Sequence, residues 1–211
     1  MNIERKDLLL YAVTDRNFLH GISLEDAVEQ AILGGATCIQ LREKAVDEGE
    51  LINRAKKLIE VCHRYNVPFI INDDYEAALK CGADGVHVGI EDAPVAEIRR
   101  IAGKNFIIGA TAKTIEQARL AESSGADYLG VGAVFPSPTK KNALRITPEL
   151  LKEICGSVSI PAVAIGGITA ENVKAIAGCG QSGIAVVSAL FGAEDVRAAA
   201  EKLTEASKAA L

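Results

Sequence analysis

Val67-Pro68-Phe69-Ile70-Ile71-Asn72-Asp73-Asp74, and then, one helix-length segment later, Gly82-Ala83-Asp84-Gly85-Val86-His87-Val88-Gly89-Ile90-Glu91-Asp92, is the stretch on which the fold turns. Residues 67–71 form a short, unbroken apolar run, the mark of a strand buried on both faces, and residues 85–89 read as the next one. Between them, residues 75–80 read as a helix that stops at Gly82. The first strand delivers Asn72 and Asp73 at its carboxyl end, and Asp92 follows shortly after the second. Two carboxylates from adjacent strand ends can hold one hard cation. Mg²⁺ is usually bound by one or two carboxylates together with water and substrate phosphates, so a real pair implies a phosphorylated substrate. For either aspartate alone, capping the helix that follows it is the better reading. The pair therefore takes its meaning from the rest of the chain.

The same alternation extends in both directions. Upstream, residues 8–14 and 37–41 read as strands, separated by a helix that Ser23 and Asp26 open and Gly34-Gly35 close; a long amphipathic helix near 47–65 leads into the quoted stretch. Downstream, strands at 106–109, 128–132, 162–165 and 184–187 alternate with helices that start at Pro94, span 114–123, start at Thr147-Pro148, and span 170–177 and 193–208. Eight strands alternating with eight helices, without a linker or a break in composition, predict an α/β protein built as a single-domain (β/α)8 TIM barrel over residues 1–211. An open doubly wound sheet is the rival. An internal recurrence favours closure: Gly35-Ala36-Thr37, Gly82-Ala83-Asp84 and Gly125-Ala126-Asp127, with the looser Gly180-Gln181-Ser182-Gly183, return at intervals of 47, 43 and 55 residues. Repeating pairs of βα units would give such spacing. Each of these turns needs glycine in the left-handed region, so they speak to architecture and not to chemistry.

Composition narrows the function. Of 211 residues 49% are hydrophobic but only 4% aromatic, which suits a core of Val, Ile, Leu and Ala. The net charge of −5 argues against a general nucleic-acid or anionic-membrane surface, so an anionic ligand has to meet a local cluster of positive groups. Cys38, Cys62, Cys81, Cys155 and Cys179 are odd in number and never spaced as CxxC. They are expected to be reduced core thiols of a cytoplasmic protein, with no disulfide framework or zinc site. No apolar run is long enough to span a bilayer, and no signal peptide is visible.

In a (β/α)8 barrel, function sits at the carboxyl ends of the strands. Gln40, Arg42 and Lys44 follow strand two and share one side of an extended chain. Arginine there can hold pyrophosphate by paired hydrogen bonds and lysine as a point charge; a solvated loop with Glu43 as partner is the alternative. Thr111 sets a hydroxyl at the end of strand five, although threonine is also common where helices start. Phe135-Pro136-Ser137-Pro138-Thr139-Lys140-Lys141 offers hydroxyl and ammonium groups on a proline-stiffened loop longer than most βα loops, and such loops are often functional. Gly166-Gly167 after strand seven, with backbone amides and Ser188 after strand eight, match a recurrent barrel phosphate site. His87 and Tyr11 read as structural residues, and neither is assigned as a base.

Together, Tyr11-Ala12-Val13-Thr14-Asp15, Gln40-Leu41-Arg42-Glu43-Lys44, Asn72-Asp73, Gly85 to Gly89 with Asp92, Gly132 to Lys140, Ala164-Ile165-Gly166-Gly167-Ile168 with Asn172, and Val187-Ser188 resemble the thiamine-phosphate synthase family along nearly the whole chain. The resemblance implies a transferase that condenses hydroxymethylpyrimidine diphosphate with thiazole phosphate, by a dissociative Mg²⁺-assisted substitution, to thiamine phosphate and pyrophosphate. Carried across, Gln40, Arg42, Lys44, Asn72 and Lys140 would hold the pyrimidine diphosphate, while Asp73 and Asp92 would bind Mg²⁺. Ser137, Thr139, Gly167, Val187 and Ser188 would receive the thiazole phosphate. Leu41, Glu43 and Pro138 belong to the same binding segments, and Arg42, Lys44, Lys140 and Thr111 would carry catalysis. Thr111 stands where the family commonly has Ser, and Ser137 where it commonly has Thr; both keep a hydroxyl. The implied partners are small-molecule substrates, with neither nucleic acid nor membrane, and a homo-oligomer is left open. A related thiazole tautomerase and a non-catalytic ligand sensor on the same barrel are the rivals. The tautomerase tends to lack the full set of diphosphate and metal groups present here, so the synthase is preferred.

Overall fold

The computed structural model describes residues 3–44, 46–137 and 144–211. Its strands are β1 (Leu10–Val13), β2 (Cys38–Leu41), β3 (Phe69–Asn72), β4 (Gly85–Val88), β5 (Ile107–Ala112), β6 (Tyr128–Gly132), β7 (Ala162–Ile165) and β8 (Gly183–Val186). All neighbours pair in parallel, and β8 returns to β1, so the sheet closes into a barrel. The helices are α1 (Leu24–Leu33), α2 (Glu48–Arg64), α3 (Tyr75–Cys81), α4 (Val95–Ala102), α5 (Ile115–Ser123), α6 (Pro148–Gly156), α7 (Ser188–Phe191) and α8 (Val196–Lys208). Side-chain caps set several starts: Ser23 accepts from Asp26 N, Asp47 from Glu50 N, and Thr147 from Leu150 N. On α2, Leu51, Ala55, Leu58 and Cys62 recur at helical spacing and form the buried stripe.

The recurring turn has a physical job. Gly35, Gly82 and Gly125 have φ of 109°, 79° and 97°, and the amide of the alanine after each one bonds back to the helix it ends: Ala36 to Ala31, Ala83 to Ala78, Ala126 to Ala121. The third residue then reaches across to the preceding strand. Leu10 N donates to Thr37 Oγ1 at 3.0 Å, Phe69 N to Asp84 Oδ2 at 2.8 Å, and Ile108 N to Asp127 Oδ2 at 2.7 Å. The turn thus ends a helix and fastens the entry of an odd-numbered strand, which is why it returns every second βα unit.

Closure divides the core in two. Outward side chains such as Leu10, Ile39, Ile71, Val86 and Leu129 pack against the helices, while Tyr11, Val13, Cys38, Ile70, Ile107, Tyr128, Val163 and Ala185 fill the lumen. Register sets bulk against gaps inside: His87 pairs with Gly109, Gly109 with Tyr128, and Thr111 with Gly130. A Cβ on Gly109 would overlap the Tyr128 ring, and one on Gly130 would press on His87. Gly109 and Gly130 thus make the room that the His87 and Tyr128 rings occupy.

Four expected boundaries move. β5 runs on to Ala112, because Ala110, Thr111 and Ala112 keep pairing with β6, so Thr111 lies within a strand. The helix expected over 170–177 is a 3-10 turn, Val173–Ile176. Thr169 Oγ1 takes the amides of Glu171 and Asn172, and Asn172 Oδ1 takes that of Thr169, which diverts these groups from a helical ladder. The last expected helix is two, the short α7 and then α8, whose start Asp195 caps. β1 is shorter than expected because residues Arg5–Leu8 form a 3-10 helix.

Gly109→Ala should lower the thermal midpoint by overpacking the lumen, at a cost of about 1–3 kcal/mol, or about 2–4 °C for each kcal/mol in a chain of this size. Calorimetry of the purified variant tests this, and an unchanged midpoint would contradict the packing described.

Candidate active site

The carboxyl ends of the strands surround a cavity of about 810 Å³. Gln40, Arg42, Lys44, Asn72, Asp73, Asp92, Thr111, Ser137, Gly167, Val187 and Ser188 all line it, although they come from β2 to β8 and the loops that follow. Leu41 does not join them. Its side chain is fully buried on the outer face of the strand, since alternation sends Gln40 inward and Leu41 towards the helices. Glu43 also turns away, against its expected place in substrate binding. Its carboxylate, only 4% exposed, meets Arg54 of α2 at 2.9 Å and Arg16 at 3.0 Å. It is not the partner of Arg42 or Lys44. Pro138, Thr139 and Lys140 lie outside the described residues.

The aspartates divide their work. Asp74, not Asp73, caps α3, accepting from Ala77 N at 2.8 Å. Asp73 sits in the left-handed region with φ 67°, and Asp92 accepts from Gly89 N at 2.6 Å in the turn after β4. The N-cap of α4 is Pro94, so neither residue of the pair is used as a helix cap. Their side chains meet. Burial, and then the charge and hydrogen bonding of Asp92, push the Asp73 carboxyl up to about 6, while Asn72 and Arg42 pull it back. Two oxygen-donor groups held in mutual repulsion beside a cavity suit a hard cation.

Positive groups share the cavity with this pair. Arg42 is held near Asp15 at 3.7 Å, and its backbone amide donates to Thr14 Oγ1 at 3.1 Å. Lys44 after β2 and Lys113 after β5, two residues beyond Thr111, also line the cavity. Across the mouth, the loop after β6 zips onto the loop after β7: Val134 N donates to Ile165 O at 3.0 Å and Phe135 N to Gly166 O at 2.9 Å. Asn172 Nδ2 holds Gly167 O at 2.8 Å. This fixes the glycine loop beside Val187 and Ser188, at the start of α7.

The floor is polar but uncharged. Gln40 Nε2 donates to the Tyr11 hydroxyl at 2.8 Å; Tyr11 and Tyr128 hydroxyls lie 2.7 Å apart; His87 Nδ1 is 3.1 Å from the Tyr128 hydroxyl, and His87 Nε2 is 3.1 Å from Thr111 Oγ1. Burial drives the His87 imidazole down to about 4 and holds both tyrosines well above their ordinary range, so all three stay neutral at pH 7. Tyr11, His87 and Lys113 are cavity residues that the sequence does not single out as functional. The signal for Lys113 is its alternation with Thr111, readable only once β5 is known to extend past Gly109.

Comparison with known proteins finds relatives along nearly the whole chain. A family model described as thiamine monophosphate synthase matches residues 10–190. The thiamine-phosphate synthase of Clostridium tetani is 47% identical over 97% of this chain and 98% of that protein, and that of Ruminiclostridium cellulolyticum is 47% identical over 94% and 95%. Among solved structures, thiamine phosphate pyrophosphorylase from Pyrococcus furiosus superposes with a TM-score of 0.90 at 42% identity, covering 98% of each chain.

Two substitutions test the geometry. Glu43→Ala removes the buried partner of Arg54, which keeps Glu50, and of the half-exposed Arg16, and should cost about 1–3 kcal/mol of stability, read as a fall in the thermal midpoint. Asp73→Asn should do the opposite in metal-free buffer. An acid raised from 3.8 to about 6 weakens the fold increasingly as pH climbs through that window, so the gain should be small near pH 4 and full above pH 6. Asparagine also tolerates the left-handed backbone. Screening at the rim limits the gain to roughly 1 kcal/mol, about 2–4 °C. A midpoint that falls at pH 7 in the presence of a chelator would contradict the carboxylate repulsion.

Proposed function

The chain belongs to the thiamine monophosphate synthase family, and on that premise we infer that it is a thiamine-phosphate synthase, a transferase joining a pyrimidine diphosphate to a thiazole phosphate. The observation that carries the reading is the convergence on one cavity of a carboxylate pair, the cations Arg42, Lys44 and Lys113, and, across the mouth, the Gly167 loop with Ser188. Two phosphorylated substrates need two such ends.

In the reaction, the bond between the pyrimidine methylene carbon and the diphosphate oxygen breaks, and its electron pair leaves on pyrophosphate. The thiazole nitrogen closes the new carbon–nitrogen bond with its own lone pair. No proton is transferred, so the protein has to align the reactants and stabilise separating charge. Arg42, Lys44 and Lys140 would hold the departing pyrophosphate, with Gln40 and Asn72 on the pyrimidine diphosphate and Thr111 at the strand end beneath. Ser137, Thr139, Gly167, Val187 and Ser188 would seat the thiazole phosphate. Asp73 and Asp92 fit Mg²⁺ by their hard oxygen donors and raised repulsion, and Mg²⁺ bound there would neutralise diphosphate charge. A neutral His87, with a protein partner near each ring nitrogen, supports a site that works without a general base.

The protein is read as one cytoplasmic domain acting on small molecules. Its five cysteines are free thiols, and no helix among the described residues is long and apolar enough to cross a membrane.

Incubation with both substrates and Mg²⁺ should release pyrophosphate and thiamine phosphate together, and Arg42→Ala should lower the rate on the order of 10²–10³-fold. An isomerase would instead convert thiazole phosphate without metal or diphosphate, and a sensor would bind both ligands and release nothing.

A further inference from the structure

We infer that His87 is a positioning residue: the chain of hydrogen bonds Gln40–Tyr11–Tyr128–His87 runs in one direction and ends by presenting the Thr111 hydroxyl to the cavity as a hydrogen donor. The inference rests on the synthase reading for its catalytic meaning, though not for its geometry. The direction follows from counting hydrogens. Gln40 Nε2 has only hydrogens to offer and gives one to the Tyr11 oxygen. Gln40 Nε2 cannot accept in return, so Tyr11 sends its single hydroxyl hydrogen to Tyr128, 2.7 Å away. Tyr128 then sends its own to His87 Nδ1. A neutral imidazole whose Nδ1 accepts carries its hydrogen on Nε2, and Nε2 faces Thr111 Oγ1 at 3.1 Å. Thr111 accepts there, which leaves its own hydrogen for the cavity.

The polarity has a consequence for the reaction. Diphosphate oxygens only accept hydrogen bonds, so a donating Thr111 attracts the leaving group. Were the chain reversed, Thr111 would spend its hydrogen on His87 and show the diphosphate lone pairs alone. The lumen is built for this arrangement: Gly109 leaves room for Tyr128 and the His87 ring, and Gly130 for the other edge of that ring. Chains of this kind polarise one another, so the terminal donor is stronger than an isolated hydroxyl.

The tautomer can be read directly. The full chain has three histidines, His20, His63 and His87, so ¹⁵N-labelled protein gives few imidazole signals, and His87→Gln assigns the one of interest. Long-range ¹H–¹⁵N spectra of the wild type should show His87 with hydrogen on Nε2 and a bare Nδ1. Tyr128→Phe, which removes one oxygen and keeps the ring, should weaken that preference. The same variant should lower kcat about 3- to 10-fold, leave KM for the thiazole phosphate unchanged, and add nothing further in a Thr111→Val background. A wild-type His87 with hydrogen on Nδ1 would overturn the inference, and so would additive losses in the double variant. A wild type that releases no pyrophosphate would refute the synthase reading instead, and the tautomer would then decide the polarity of Thr111 by itself.

Discussion

The interior of an eight-stranded barrel is narrow, and the two crowded rings His87 and Tyr128 fit because the strands beside them carry Gly109 and Gly130; much of this site follows from that steric fact. Register makes His87 and Tyr128 both neighbours of Gly109. The glycines are therefore as much a part of the site as the polar groups, since they let two polar rings lie one level below the strand ends. Above them the lumen opens into the cavity, and the residues at the boundary, Gln40 and Thr111, belong to the floor and to the ligand space together.

Charge is arranged in a different way from polarity. The chain carries a net charge of −5, yet Arg42, Lys44 and Lys113 gather at one mouth, so the attraction for a phosphorylated ligand is local. The acids at the same rim are kept uncomfortable: the left-handed backbone of Asp73 and the nearby Asp92 cost the empty fold stability that a bound cation would restore. Glu43 works from outside the cavity. By bonding Arg16 after β1 and Arg54 on α2, it braces the segment on which Arg42 and Lys44 stand. A neutral floor under a charged rim is the division of labour expected for a substitution in which charge separates and no proton moves.

Local chemistry decided the elements. Apolar runs of strand length, capping residues and the glycine turn are written in neighbouring positions, so the barrel, its eight strands and the place of its mouth were readable from the chain alone. The pairing of Asp73 with Asp92 was readable too, since each follows a strand end by a short and countable distance. Where side-chain hydrogen bonds competed with a helix, as at Thr169 and Asn172, the reading overran the boundary.

What the amino-acid sequence determined by itself was therefore the architecture and the inventory of groups at its rim. The tertiary structure alone decided that Asp74 and not Asp73 caps α3, that Glu43 and Leu41 turn from the cavity, that Lys113 joins it, and that Gln40, Tyr11, Tyr128, His87 and Thr111 form one bonded chain. The reason is distance along the polymer. Those facts depend on which strands become neighbours and in what register when the sheet closes, and no spacing between adjacent residues records that.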